Sequence, residues 1–450
     1  MTAKRIPPAR ARASDLLGSS TRAPALSRRQ WLQRTGLAVA AAAGLPGLAG
    51  CGGGAGGGTA SASGDTGGGS TASASSYASG AITGFGSIIV SGVRFDETKA
   101  QVLDGDGHTR SATALKLGVV VEVEGGAVTA SSTSTTSTTA SSRATATRIH
   151  CGSALLGPLE AIDATNSVLT VLGQAVSVST DTVLDDTLSS DLSTWTLGQV
   201  LEVHALYDSA TATYAATRIE DGGAPSAYHV RGPVSGLDTT AQTFFIGDAA
   251  IRYASATAVT SALADALMVR ALLQTTAVDG VWIATQVSTG QRTLEDRSEA
   301  RVHGLITDWT SVSAFSVNGL VVDASAASFP DGTSGIVLGA SVEVQGAIVS
   351  AVLVATQVSL ESSTDDSGSS GGSGKRGRRS FELHGSLSAL DTTAQTFSLR
   401  GLTVSYASSS LVWLDSLSAS TLADGLALEV RGVLSADKTQ LSATRIGLDD

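Results

Sequence analysis

The chain has 450 residues, 42% of them hydrophobic but only 4% aromatic, and a formal net charge of −11. Residues 1–50 hold eight Lys/Arg and one acid, Asp15, so the remaining 400 residues carry 21 basic and 39 acidic side chains, a net charge of −18. That acidity argues against a nucleic-acid partner, whose affinity comes mainly from Lys and Arg on phosphates. A chain rich in Ala, Gly, Ser and Thr suits short strands and turns better than long helices.

The first stretch reads as an address. Ser27-Arg28-Arg29-Gln30-Trp31-Leu32 precedes an apolar run over 36–48. The run is too short for a spanning helix, which needs about 20 residues, and suits the apolar centre of a signal peptide. Arg28 and Arg29 in this setting resemble a twin-arginine export signal. Leu48-Ala49-Gly50-Cys51 resembles the lipobox of bacterial lipoproteins. The resemblance implies that residues 1–50 are a signal peptide and that Cys51 is the lipid attachment site. It also implies a cell-envelope location. Gly52 in place of Asp favours the outer membrane by analogy with proteobacterial sorting. Residues 51–78, Gly/Ser-rich and poor in apolar side chains, are expected to be a disordered linker. Cys151 is the other cysteine of the chain. It has no partner for an internal disulfide once Cys51 is lipidated, and reads as a half-buried bystander.

The body is organised by a four-residue repeat, Ala-Thr-(Arg/Gln)-(Ile/Val). It begins at Ala146, Ala216, Ala284, Ala355 and Ala443, at steps of 70, 68, 71 and 88. A near-constant step marks a repeated structural unit. Five modules are expected, at 79–152, 153–222, 226–290, 299–361 and 381–448. A linker with the basic cluster Lys375-Arg376-Gly377-Arg378-Arg379 is expected at 362–380. Within the fifth, Phe397 and Leu399 alternate with polar residues, Gly401 turns, and Leu402, Val404 and Tyr406 alternate again. Period two on both sides of a Gly turn is a hairpin with one face in a core. Asn318-Gly319 is a hairpin signal of the same kind. Each module offers about five strands, closing on Ile149 and its equivalents. A short helix is expected before the fourth strand, over 260–267 and 416–424. The fold class is therefore all-β, as tandem small OB-like barrels joined by Gly/Ser linkers; a small sandwich is the alternative. Residues 129–142, a Ser/Thr run, are expected to extend a hairpin of the first module. The duplicated Leu-Asp-Thr-Thr-Ala-Gln-Thr-Phe at 237–244 and 390–397 reads as a shared turn.

In the first module, Gly84-Phe85-Gly86-Ser87-Ile88-Ile89-Val90-Ser91-Gly92-Val93-Arg94-Phe95 and the later Leu117, Gly118, Val121, Val123 and Gly125 resemble the bacterial domain of unknown function 5666. Ser91 stands where that pattern has Asn, and the later modules lack the Gly-Phe-Gly-Ser run. The resemblance covers nearly all of 79–446 and implies an architecture without an activity.

Candidates for chemistry are sparse. His229, His303 and His384 look like a repeated ligand set. Aligned on the following Gly, however, His303 and His384 match Arg231, Leu156 and Ser79, which reads as a tolerant strand surface. His108, His150 and His204 lack metal-ligand spacing. Asp104-Gly105-Asp106-Gly107 lacks the positions of a calcium loop and reads as a turn. Asp185-Asp186 and Asp365-Asp366 read as exposed pairs without partners. Glu122, Glu202, Glu343 and Glu429 recur in a Val-Glu-Val-type strand, with Arg270 in the third module, and read as outward charges that keep strands soluble. Trp195, Trp282, Trp309 and Trp413 read as core or edge fillers. No serine elbow, phosphate loop or dinucleotide fingerprint is present. The expectation is a non-enzyme without cofactor or metal. It would act as a scaffold that engages an envelope protein or, alternatively, as an array that binds envelope polysaccharide.

Overall fold

A computed structural model describes residues 75–130, 142–257, 263–289, 292–361, 379–435 and 438–449. Arg28, Arg29 and Cys51 lie outside the described residues, as do Lys375, Arg376, Gly377, Arg378, Asp365, Asp366 and the centre of the 129–142 run.

The architecture is clearest in residues 155–221. A long first strand (Leu155–Asp163) pairs antiparallel with the fourth (Val200–Asp208) through its beginning and with the second (Val168–Val171) through its end. The second pairs with the third (Gln174–Ser177), the third runs parallel to the fifth (Thr213–Asp221), and the fifth returns to the fourth. The ring closes on five strands in the order 1-2-3-5-4, the OB arrangement. The same order runs through 75–151, 228–289, 297–360 and 381–448. In chain order these are the first to fifth barrels.

The Ala-Thr repeat has one physical meaning in all of them. Each fifth strand carries a β-bulge at the Thr, so Gly125 faces Ala146 while Glu124 already faces Arg148. Thr147, Thr217, Thr285, Thr356 and Thr444 are the extra residues. A bulge leaves ladder groups without their regular partner. In each case the Thr hydroxyl donates to the fourth-strand carbonyl opposite: Glu124, His204, Leu272, Gln345 and Arg431, at 3.0–3.3 Å. The bulge also switches partners. Before it the fifth strand pairs with the third (Asp96 with Thr145). After it the strand pairs with the segment that follows (Gln101 with Arg148). The Ala before each Thr and the Ile or Val two residues after it are buried in the core.

The hairpin between second and third strands has one turn geometry in four of the five barrels. Ser91, Leu172, Asn318 and Arg400 have φ near +50° (47, 50, 50 and 54°), and each precedes a Gly with positive φ. Two positive φ values in a row give the type I′ turn that matches strand twist. The side chain at the first position folds back over the first strand. Asn318 shows why a Gly waits there. Its amide donates to the His303 carbonyl and accepts from the Leu305 N–H, and a Cβ on Gly304 would lie 2.1 Å from it.

The barrels are joined through their first strands, and not in sequence order. The first pairs parallel with the fourth (Ser76 with Glu299 through Ser79 with Val302) and with the fifth (Gly84 with Glu382). The second pairs antiparallel with the third (Val230 with Leu155). One 20-stranded sheet therefore holds the first, fourth and fifth barrels, and one 12-stranded sheet the second and third. The cores follow suit. Ile82, Ile88 and Phe95 share a buried cluster with Phe381, Phe397 and Val430. Leu155, Leu169 and Tyr214 share another with Val230, Phe244 and Ile251. The fourth barrel keeps its own core, capped by Tyr77 of the first. A fully buried Phe contributes about 1.5–3 kcal/mol relative to exposure.

Two expectations change, and the hairpin base of the 129–142 run is as expected. Residues 75–78 belong to the first strand (Ser75–Ala81), not to a linker, because they pair on both edges. The helix over 416–424 is a single 3-10 turn, Ala419–Thr421; residues 263–267 are turn, and 258–262 lie outside the described residues. The ends of the 129–142 run, Thr129–Ala130 and Ser142, pair with each other's strands as a hairpin base.

Candidate functional site

First and fourth strands are neighbours in every barrel, so each repeat sets one cross-strand pair on its outer face. The pairs are Ser79 with Glu122, Leu156 with Glu202, Arg231 with Arg270, His303 with Glu343 and His384 with Glu429. Because the first strand is also the joining strand, these positions line the seams between barrels. This corrects the reading of Glu122 and Glu202 as solvent-facing and of the histidines as a tolerant surface, whereas Glu343 accepts from Gln345 of its own strand.

The densest group lies where the fifth barrel meets the first. His384 is 2% exposed. Its Nε2 is 2.7 Å from Glu382 Oε1 and its Nδ1 is 2.8 Å from Asp449 Oδ1. Arg94, from the first barrel, lies 3.3 Å from Asp449. Arg431 Nε lies 2.9 Å from Glu382 and 3.3 Å from Glu429 without a directed hydrogen bond to either. Burial would lower the His384 pKa, but hydrogen bonds to Asp449 and Glu382 outweigh it and hold the pKa above the ordinary value. Burial would raise Glu382, but the His384 hydrogen bond and the Arg431 charge outweigh it and lower it. Glu429 goes the other way: burial, then the Glu382 charge, raise it. Buried charges need such partners, since each alone is costly.

Between the second and third barrels, the Ser153 hydroxyl reaches both Glu202 (2.8 Å) and His229 Nε2 (2.9 Å). The three residue types suit acyl transfer, but the carboxylate binds the serine rather than the far side of the histidine. The histidine is therefore not oriented as a general base. Burial, then the Arg270 charge, push His229 well below its usual pKa.

The third barrel carries Arg270 where the others carry an acid, and the first barrel supplies its partner. Arg270 reaches Asp106 at 2.7 Å. Asp104 accepts the backbone N–H groups of Asp106 and His108, which builds the turn. Asp185 is not an unpaired surface acid. With Glu220 it meets Lys116 (3.6 and 2.6 Å) and Arg218 (3.5 and 2.7 Å) between the first and second barrels. Arg292 bridges Glu122 and Glu124, and Arg297 also reaches Glu124. Beside them Tyr77, Arg148 and Leu294 line a cavity of about 60 Å³. His303 meets Glu361 at 3.1 Å, and Arg379 lies 4.0 Å from Glu361.

Cys151 is buried, and burial pushes its thiol up to about 12, which leaves it protonated and unreactive. Trp195 is buried, Trp309 stacks on Phe315, Trp413 lies edge-on to Tyr406, and Trp282 lies edge-on to Tyr228. Among the described residues no helix is long and apolar enough to cross a membrane.

No curated protein matches the chain. A family model, the domain of unknown function DUF5666, matches residues 157–220, 303–359 and 384–447. These are the second, fourth and fifth barrels, not the first, where the quoted motif is fullest. The chain thus contains three segments similar to this domain, and they share one strand order and one bulge.

Proposed function

We propose that the protein is a non-catalytic interaction or structural scaffold of the cell envelope. In this reading Arg28 and Arg29 direct export, Cys51 carries the lipid anchor, and five separately recognisable barrel modules form one body that presents its outer surface to a partner. One observation carries the reading. At three of the five equivalent fourth-strand positions the ionisable side chain is engaged beyond its own barrel: Arg270 meets Asp106, Glu122 meets Arg292, and Glu202 shares Ser153 with His229. They build a body rather than a catalytic cleft.

Crosslinking in intact cells, followed by affinity recovery of the full chain and mass spectrometry, tests the partner. One protein recovered in near-equal amount supports the scaffold. No protein above background, together with sedimentation on isolated envelope polysaccharide, would replace it with a glycan-binding array. Cys51→Ser tests the anchor separately. The expected outcome is loss of the protein from the membrane fraction, and an unchanged distribution would reject lipidation.

A further inference from the structure

We infer that Glu382, His384 and Glu429 form a binding site for one divalent metal ion of the zinc class at the seam of the fifth and first barrels.

The donor set is His Nε2 with two carboxylates, and one ligand atom from each residue lies within 4.8 Å of the others. Zinc bonds to nitrogen and oxygen are about 2.1 Å long, so these side chains close in on the ion when it binds. Imidazole and carboxylate together suit zinc and its first-row neighbours. The other ring nitrogen is already fixed. Nδ1 is held 2.8 Å from Asp449, the carboxylate–histidine arrangement that aims a ligating nitrogen and fixes its tautomer. Asp449 is itself held by Arg94 at 3.3 Å, so the aim depends on the docked first barrel.

Access comes from the Nε2 side. His384 is 2% exposed, whereas the side chains of Glu382, Glu429 and Arg431 are 19%, 25% and 26% exposed. Arg431 fills the space between the two carboxylates without a directed hydrogen bond from its Nε. It is a stand-in cation that can turn outward to solvent. On binding, the metal takes the Nε2 lone pair and the two carboxylates, and the Nε2 proton leaves to solvent.

The repeats show that this set is particular to one barrel. At the position of Glu382, the other four barrels carry Tyr77, Ala154, His229 and Arg301, and only the fourth barrel also pairs a His with a strand-four Glu. Linear spacing hides the set, because Glu429 comes from a strand 45 residues beyond His384 and faces it only through sheet register. A second group, Asp104, Asp106 and His108, is more exposed, and its Asp106 is held by Arg270. It serves as the control.

The test is metal retention by the full chain, stripped with chelator and dialysed against Zn²⁺, followed by elemental analysis. Co²⁺ absorption bands report ligation directly. The expected result is one retained equivalent and cobalt bands in the wild type. Glu429→Gln should bind at least tenfold more weakly and lose the bands. Asp449→Asn, which removes a positioning residue, should bind about 10–100-fold more weakly. Asp106→Asn should bind as the wild type does. Circular dichroism confirms that each variant is folded; Glu382→Gln is the second ligand variant if Glu429→Gln is not. A folded wild type that retains no zinc and shows no cobalt bands overturns the site. So does retention that is unchanged in a folded ligand variant.

Discussion

The second barrel is joined to the third in one way and to the first in another. Toward the third it offers its backbone: Leu155 and Leu156 pair with Val230 and His229, and the apolar clusters of both barrels run together. Toward the first it offers side chains. The Thr217 hydroxyl donates to the Gly118 carbonyl, Arg218 to the Leu117 carbonyl, and Lys116 meets Glu220 and Asp185. Val183 is its buried apolar residue on that side. A backbone ladder over a shared core is insensitive to salt and hard to open locally. A charged contact between two sheets is screened by ions and loosens with pH. Identical folds can thus be welded or merely clasped, depending on which face meets which.

The weld breaks most severely from inside. Leu155→Ala should cost about 2–5 kcal/mol, because Leu155 is fully buried in the shared core. Calorimetry of this variant should show the second and third barrels melting together at a lower temperature; two separated transitions would mean the core is not shared in energy. Gly84→Ala tests the other weld, between first and fifth barrels. A Cβ there would lie 2.2 Å from the Glu382 carbonyl oxygen, a backbone atom that cannot turn aside. A cost of about 1–3 kcal/mol is expected. Faster hydrogen exchange is expected at the Glu382 amide, which now bonds the Thr83 carbonyl. Protection equal to the wild type would show that the seam tolerates the methyl.

The bulge threonines compare both kinds of contact within one repeat. Thr217→Val removes a buried hydroxyl whose one proton is shared between the Gly118 carbonyl across the sheets (2.6 Å) and the His204 carbonyl within its barrel (3.0 Å), whereas Thr444→Val removes a half-buried one that donates to Arg431. Buried unmet acceptors cost about 1–3 kcal/mol each, so denaturant unfolding should rank Thr217→Val as the more damaging. Equal losses would indicate that the bond across the sheets contributes nothing.

The clasp should give smaller effects. Lys116→Met should cost about 0–1 kcal/mol, since the Lys116 side chain is 42% exposed. It should also reduce the salt dependence of contact between the two sheets, read by small-angle scattering. For pH, burial would raise Glu220, but the Lys116 hydrogen bond and the Arg218 charge outweigh it and lower its pKa below the ordinary 4.5. A lowered carboxyl contributes stability that is present above the unfolded value and lost as pH falls through the folded one. Stability should therefore decline as pH drops below about 4.5, and Glu220→Gln should flatten that decline. An unchanged acid limb would remove Glu220 from the clasp.

Much of the fold is legible in the sequence. The Ala-Thr repeat located the closing strands, Asn318-Gly319 located a tight hairpin, and the alternation of Phe397, Leu399, Leu402 and Val404 told inside from outside. The bulge was not legible, because Thr147 and its equivalents look like ordinary outward strand residues until the register is known. The seams were misread for a related reason. Alternation says which side chains point out of a barrel, not whether another barrel stands there. The positions aligned with His384 hold Arg, Leu and Ser, which looks like tolerance in the sequence, yet that very variety is what distinct seams require. Arg270 and the Asp104–Asp106 turn each looked anomalous alone, and they turn out to be partners.

Local rules of period, turn chemistry and repeat spacing determined the strands, their hairpins and the all-β class, because each depends on residues close in the chain. The tertiary structure alone decided which barrels meet, which charges are buried, and that Glu382, His384, Glu429 and Asp449 converge. Those outcomes depend on strand register and on pairing between segments up to hundreds of residues apart, which no local pattern encodes.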